Sequence, residues 1–457
     1  MADQVTNYKC PACTGPMIFS AATGKVECEY CGSTYDIKEI ENMMAAESAK
    51  AEDAKASADA KDAAQSADEW EYTTEGWNED GMKTYSCPSC GAELVCDENT
   101  AATSCPYCDN PTIVPGQFSG MLKPEYVIPF KIPKDKAVAA LKDHYKGKAL
   151  LPKSFTQGNH LDDIKGVYVP FWLYDGVASG TAFYDAKKEQ KHREGNEEVT
   201  VTDHFKVVRA GHAAFEKIPA DASSKMDDNL MDSIEPYDYS EIKEFSKAYL
   251  TGFMADKYDV SAEEDTPRVE ERAKNTFREM LRETVDGYSS VSEERADLRI
   301  EQGKISYAMM PVWMLTTKWK DQKFTFAMNG QTGKMVGDLP VDMGKYWKIF
   351  FAVVAVLEVI FALIVANGDT GFAGMSTMGI VMEFVIVPLL IAFIVGAVLK
   401  GQMHSVFKAH QAAEYMPKKG LRLTRQSDRF VRQTIERRVI QQNPPQNGSQ
   451  NNTRPQG

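Results

Sequence analysis

The marks of the commonest enzyme classes are missing from this sequence. It has no HExxH, GxSxG or GxGxxG motif and no complete phosphate-binding loop, so the chemistries that depend on those spacings have no foothold. Histidine is scarce, seven in 457 residues, and none stands four positions from another. Basic charge is in deficit, 52 Lys and Arg against 65 Asp and Glu, for a net −13. The deficit is uneven. From Lys400 onward eleven Lys and Arg face three acids, giving +8, which leaves −21 to residues 1–399. An acidic body with a short basic tail does not suit a protein that coats nucleic acid with its main domain. The start, MADQVTNYKC, lacks a charged segment followed by an apolar one, so no cleavable signal peptide is expected. The N-terminal half then reads as cytoplasmic, where thiols stay reduced and bind metal more readily than they form structural disulfides.

Only nine cysteines are present, and eight of them fall in CxxC pairs. Cys10 and Cys13 are followed by Cys28 and Cys31. Cys87 and Cys90 are followed by Cys105 and Cys108, the same pattern displaced by 77 positions. A two-residue spacer lets both thiolates of a turn reach one ion, and two such turns complete a tetrahedron. Two structural zinc ions are therefore expected, in ribbons at 1–40 and 83–115, each with a hairpin between its knuckles. The first hairpin is expected at Met17–Phe19 with Lys25–Val26, the second at Glu93–Val95 with Thr103–Ser104. All four ligands are protein thiolates, which leaves no open position for a catalytic water. The ninth cysteine, Cys96, aligns with Phe19 and reads as a small buried hydrophobe. Both ribbons are net acidic, so protein contact is the stronger expectation and nucleic acid the weaker.

Between the ribbons, 41–82 is a linker. Its stretch 41–70 holds eleven alanines with no Gly or Pro. It reads as a solvated helix or disordered spacer that lets the first ribbon range away from the second. Residues 121–340 read as an α+β domain. Helices are expected at 134–146, 223–231, 241–257 and 266–284, and strands at 167–184, 198–215, 299–319 and 323–328. Tyr168-Val-Pro-Phe-Trp-Leu and Met310-Pro-Val-Trp-Met-Leu resemble one another. They are either a duplicated unit or no more than aromatic packing on a sheet. Asn329-Gly-Gln-Thr-Gly-Lys334 is only superficially a phosphate loop. The acids Asp227, Asp228, Asp232, Glu235 and Asp238 could attract a cation, although a solvated acidic face is the plainer reading. No enzyme is expected.

Residues 346–366 and 378–399 are apolar runs long enough for a bilayer core of about 30 Å. Lys345 and Lys348 precede the first, and Lys400 and Lys408 follow the second. This places both termini in the cytoplasm of a two-pass protein of the cell membrane. Glu358 and Glu383 interrupt the runs at similar depth, either facing each other or a partner helix, or reaching toward headgroups. Residues 400–440 carry Leu423, Phe430, Val431, Ile435 and Val439 at roughly helical spacing among arginines. That reads as a basic amphipathic helix on anionic lipid, with a partner-binding helix as its rival. Residues 441–457 read as a disordered tail.

The CPxC knuckles, Tyr168-Val-Pro-Phe-Trp-Leu-Tyr-Asp175, Ile218-Pro-Ala-Asp-Ala-Ser-Ser-Lys-Met226, Ile234-Glu-Pro-Tyr-Asp-Tyr239 and Phe326-Ala-Met-Asn-Gly-Gln-Thr-Gly-Lys334 resemble a bacterial family. Its members are membrane proteins with transcription-factor-IIB-type zinc ribbons, sometimes labelled primosomal or helicase-like. The helicase label has no nucleotide-binding motif behind it here. The resemblance implies an envelope-stress scaffold that anchors phage-shock-protein-A-like or virion-core-like proteins. The expectation is thus a membrane-anchored zinc-ribbon scaffold that recruits cytoplasmic partners, as a homo- or hetero-oligomer. The alternative is a membrane-tethered regulator whose ribbons touch nucleic acid or the transcription machinery.

Overall fold

The computed structural model describes residues 10–13, 15, 17–43, 82–86, 93–97, 100–104, 111–113, 122–158, 163–366, 382–417 and 420–439; between 82 and 113 it describes the backbone alone. The tail expected at 441–457 and most of the linker lie outside these residues.

The chain divides into two compact units. Unit 1 holds residues 1–174, 217–269 and 304–409, and unit 2 holds 175–216, 270–303 and 410–457. The strands in chain order are β1 (Met17–Ser20), β2 (Lys25–Cys28), β3 (Thr34–Tyr35), β4 (Met82–Ser86), β5 (Glu93–Asp97), β6 (Thr100–Ser104), β7 (Pro111–Ile113) and β8 (Tyr126–Val127). They continue as β9 (Lys165–Glu194), β10 (Glu197–Asp221), β11 (Lys243–Glu244), β12 (Met254–Asp256), β13 (Ser290–Trp319), β14 (Gln322–Asn329), β15 (Met335–Val336) and β16 (Leu421–Val439). The helices are α1 (37–43), α2 (Lys134–Tyr145), α3 (Lys153–Gly158), α4 (Asp228–Ile234), α5 (Ala262–Glu283), α6 (Met343–Ala366) and α7 (Val387–Gly401).

One motif occurs twice, each copy beginning and ending in unit 1: a short strand, a helix and a long strand that turns into a returning one. The copies are β8-α2-β9-β10 and β12-α5-β13-β14, and they cross. β8 of the first pairs in parallel with β13 of the second, at Val127 opposite Met309; β12 of the second pairs in parallel with β9 of the first, at Ala255 opposite Tyr168. The equivalent hydrogen bonds recur. Trp172 Nε1 donates to the Val260 carbonyl at 3.0 Å, and Trp313 Nε1 to the Ile132 carbonyl at 2.9 Å. Ala222 N–H donates to the Pro170 carbonyl, Gly330 N–H to that of Pro311. Asp259 and Val260 both donate to Ala222, as Lys131 and Ile132 both do to Gly330. The two Pro-x-Trp stretches therefore mark a true repeat, in which each indole closes the junction before a helix.

Between the strands lies an apolar core that includes Ile128, Val169, Phe171, Leu173, Met231, Ile234, Met310 and Val312. A Cβ on Gly330 would stand 2.7 Å from the Phe130 ring, so only glycine fits that return.

Asn329 and Asp221 occupy equivalent places at the ends of the returning strands. Asn329 is fully buried. Its amide nitrogen donates to the carbonyls of Ile234 (3.1 Å) and Pro236 (3.2 Å), and its oxygen accepts from the N–H groups of Gln331 and Thr332. Gln331 joins Asp238 and Glu241, and Lys334 Nζ reaches the Glu235 carbonyl. The loop with the look of a phosphate loop thus spends its polar groups pinning residues 234–241. The acidic patch is structural as well. Asp227 caps α4 through Leu230 N–H, Asp238 accepts from Ser240 N–H, and Asp232 accepts from Ala409 N–H.

Asp221, in the other half, meets Arg268 at 2.9 Å, and Arg268 also meets Asp228 and Asp265. Burial pushes the Asp221 carboxyl up to about 7 against the pull of Arg268, and burial lifts Asp265 to about 6. The folded state then holds a proton that an unfolded carboxyl releases near pH 4. Stability accordingly falls as pH rises from about 4 to about 7, by on the order of 2–4 kcal/mol for Asp221. Asp221→Asn, which copies the amide of the second half, is expected to narrow the gap in Tm between pH 5 and pH 8. A gap equal to that of the unaltered protein would show that Asp221 titrates normally.

Residues 241–257 were expected to be one helix and are not. They form two short 3-10 turns, at Tyr239–Glu241 and Lys247–Leu250, with β11 and β12. Gly252 sits at φ +86°, which ends any helix there, and the parallel pairing of β12 with β9 supplies the competing main-chain bonds.

The two apolar helices leave the same unit. Met343–Ile364 and Phe384–Gly401 have mean hydropathies of 2.4 and 2.5, and most of their side chains are exposed. Phe361 and Phe384 meet with ring centres 5.7 Å apart. Glu358 is half-buried, as are Val354, Leu357 and Phe361, its neighbours on one helix face; the side chain of Glu383 and the connection after Ala366 lie outside the described residues. The base of the pair is tied down. Asp342 caps α6 through the N–H groups of Gly344 and Lys345, Leu339 N–H donates to Met403, and Asp338 accepts from Ser405 and Val406.

Unit 2 is a four-stranded sheet in the order β13-β9-β10-β16, with residues 270–283 of α5. The basic amphipathic helix expected within 400–440 is not formed: residues 421–439 are a strand that pairs antiparallel with β10 from Leu421–Ala213 to Val439–Glu197. The reason is tertiary. Phe430 packs on Phe205 with ring centres 5.7 Å apart, and the buried Arg209 reaches across from β10 to grip Asp428 with two nitrogens. Tyr288 adds a hydrogen bond to the same carboxylate at 2.9 Å. Chain patterns at spacing four, rich in Val, Ile, Thr and Phe, serve a strand equally well once a partner ladder exists.

Candidate metal centre

The four thiols of the first ribbon converge. β1 and β2 form the expected hairpin, with Met17 opposite Cys28 and Phe19 opposite Val26. The hairpin carries the end of β2 to the Cys10–Cys13 turn. In each knuckle the backbone folds onto its cysteine: Cys10 N–H donates to Gly15, and Gly32 N–H donates back to Cys28, with Gly32 at φ +72°. Every pair among the Sγ atoms of Cys10, Cys13, Cys28 and Cys31 lies within 4.8 Å, with Cys10–Cys31 at 3.5 Å and Cys13–Cys28 at 3.4 Å. Two ligands of a tetrahedral zinc with bonds of about 2.3 Å stand about 3.8 Å apart. The donor set fits one zinc ion, held by four sulfurs and closed to further ligands.

The two cysteines that face inward, Cys10 and Cys28, are buried, and the two that face outward, Cys13 and Cys31, are exposed. The hydroxyl and N–H of Ser33 hold the Cys31 thiol down at about 6, which favours the thiolate that a metal needs. Cys10 and Cys28 join Met17, Val26, Ile40 and Ala248 in a small apolar cluster.

Ala248 belongs to the body of unit 1, so the ribbon does not range outward as the linker suggested. Phe19 N–H donates to the Thr251 carbonyl at 3.1 Å, the Phe19 ring meets Tyr249 at 5.3 Å, and Ser246 bonds Glu41. The neighbouring β12 pairs with β6 at Ala255–Ala102. Residues 246–256 thus receive the first ribbon and a strand from the region of the second.

Cys87, Cys90, Cys105 and Cys108 lie outside the described residues. The backbone around them differs in detail from the expected hairpin: β5 pairs with β4, and β6 pairs with β7. Cys96 stands in β5 opposite Lys83. Ser33 and the docking pair Phe19–Tyr249 were not read from the sequence; the only local signal was an aromatic residue at the centre of a short strand.

No protein-family model matches the chain, and no solved structure matches it. A Bacillus subtilis (strain 168) protein, "Uncharacterized protein YdjG", is 34% identical over 343 residues, which is 75% of this chain and 92% of that protein. This chain, with its four-cysteine ribbon on a body of mixed α and β structure, belongs to the YdjG family.

Proposed function

We propose that the protein is a membrane-anchored scaffold, not an enzyme, whose zinc ribbons recruit cytoplasmic protein partners to the membrane. The observation that carries this reading is that a closed four-thiolate site and the base of two exposed apolar helices belong to one compact unit. A tetrahedron of protein sulfurs gives a partner a rigid knuckled surface and gives a substrate no coordination site. The polar groups that the sequence offered for chemistry, the Asn329 loop and the acids near Asp227, are taken up in structural hydrogen bonds. Lysines 345, 348, 400 and 408 favour a hairpin with both ends in the cytoplasm. A second ion in the second ribbon, a place in the envelope-stress response and partners like phage-shock protein A belong to the same reading.

The test is affinity purification of the full chain from detergent-solubilised membranes, with and without all eight CxxC cysteines changed to Ser. Soluble partners are expected to disappear from the variant while the protein itself still fractionates with membranes. An identical partner set would remove recruitment from the ribbons. Salt-sensitive retention of the intact protein on immobilised DNA would favour the regulatory alternative instead.

A further inference from the structure

We propose that unit 2 assembles head to tail with a second copy of this chain, the basic edge strand β16 of one copy adding to the acidic edge of β13 in the next. Among the described residues, neither 290–303 nor 421–439 has a strand on its far side. An edge strand turns a row of main-chain N–H and C=O groups outward, where another strand can complete the ladder. Both edges here are long: β16 pairs over its whole length on one side only.

The two edges differ in sign. β16 has six arginines against Asp428 and Glu436, and Asp428 is already held by Arg209 and Tyr288. Arg437 is met by Glu194 and Glu197. Arg422, Arg425, Arg429, Arg432 and Arg438 have no acidic partner among the described residues. Between them stand Phe430, Val431, Ile435 and Val439, exposed by 53, 49, 56 and 62%. The β13 edge carries Glu293, Glu294, Asp297 and Glu301 against Arg295 and Arg299. Each of these acids has a cationic neighbour: Arg278 meets Glu293, Lys206 meets Glu294, Arg295 meets Asp297 and Arg299 meets Glu301. Counted on the strands alone, the net charges are +4 and −2.

Charge selects between the pairings these edges allow. Two β16 strands side by side would set arginine against arginine, and like charges opposed across a ladder destabilise it. β16 on β13 sets opposite signs together. Direction agrees as well. β13 runs antiparallel to β9, as the contacts of Ser289 with Lys187 and of Gly303 with Asp175 show, and β16 runs antiparallel to β10. With the β9–β10 hairpin between them, the two edges of the sheet run in opposite senses. A copy set alongside in the same orientation therefore brings β16 antiparallel to β13 and continues the alternation. Such a contact is heterologous, so it propagates rather than closing at two.

The test is light scattering with size-exclusion chromatography on the full chain in detergent, for the unaltered protein, a β16 variant (Arg425→Glu, Arg429→Glu, Arg432→Glu) and a β13 variant (Glu294→Lys, Asp297→Lys, Glu301→Lys). The unaltered protein is expected to form oligomers whose dissociation constant rises at least about tenfold between low salt and about 0.5 M NaCl. Each variant alone should lose this assembly, with its circular dichroism unchanged, because its two edges now share a sign. Mixing the two should restore it, since each then offers the other an opposite edge. A monomeric unaltered protein at low salt would overturn the proposal. So would assembly by the β16 variant alone, or two variants that stay apart when mixed. If the β16 variant instead lost only its binding to phosphatidylglycerol vesicles and kept its assembly state, the arginines would serve lipid and the proposal would fail.

Discussion

Changing Cys10, Cys13, Cys28 and Cys31 to Ser together is expected to remove one zinc ion per chain and to unfold residues 10–41 while the rest of unit 1 stays folded. The ribbon has almost no core of its own. Its apolar cluster is Cys10, Met17, Val26, Cys28, Ile40 and the borrowed Ala248, too few side chains to offset the ordering of about thirty residues at about 1–2 kcal/mol each. A structural zinc in such a module supplies roughly 10–16 kcal/mol, and most of that appears as folding free energy. Loss of the ion should therefore release β1, β2 and β3 together. Hydrogen exchange would then show Phe19 and Val26 amides exchanging at unfolded rates, and the Tyr249 region, which loses its Phe19 contact, becoming faster. Metal analysis of the same variant addresses the second ribbon. A drop from two ions to one matches two independent sites; a drop from one to none would leave Cys87, Cys90, Cys105 and Cys108 without metal. Protection of β1 and β2 that survives the four substitutions would mean that docking on residues 246–252, not zinc, holds the ribbon.

Asn329→Leu is expected to cost about 3–5 kcal/mol, enough to leave little soluble protein. The side chain is nearly isosteric, so the loss is polar. Two carbonyls, at Ile234 and Pro236, lose their donor, and two N–H groups, at Gln331 and Thr332, lose their acceptor, all in or near the core. Asn329→Asp restores the acceptor and removes the donor, and should fall between the unaltered protein and the leucine variant. Urea unfolding monitored by tryptophan fluorescence reads this directly, because Trp313 lies on the strand paired with β14, opposite Met328. A leucine variant within about 1 kcal/mol of the unaltered protein would mean that water replaces the amide there.

What was legible in the sequence was local. The cluster of Cys10, Cys13, Cys28 and Cys31 needed only spacing, and its hairpin only a short alternation between two CxxC turns. The helix at Lys134–Tyr145 showed Ala137, Val138, Leu141 and Tyr145 on one face; the first three are buried and Tyr145 is half-buried. The apolar helices showed themselves by composition. What was hidden depended on partners far away in the chain. Nothing within 421–439 says strand rather than helix, since Phe430 and Val431 sit at positions that suit either; the choice is made by β10, to which Phe430 pairs at Phe205. The same holds for 241–257, where β12 exists because Val167 and Tyr168 lie beside it. The role of Asn329 was equally distant: its Asn-Gly turn was visible, whereas the carbonyls of Ile234 and Pro236 that it serves were not.

The crossing of the two halves of unit 1 bears on the order in which the chain can become a structure. As the protein leaves the ribosome, β8 emerges early, meets only the two-residue β11 and lacks its parallel partner until Met309 follows. β9 likewise waits for Ala255. Neither half can be completed while the other is still being made, because each lends its short strand to its twin. Contacts this far apart in sequence slow folding, and they keep the apolar faces of β9 and β13 open throughout translation. The same interlock denies the protein any cut point between its halves, so a nick between Asp221 and Met254 yields complementary fragments of one fold rather than two domains.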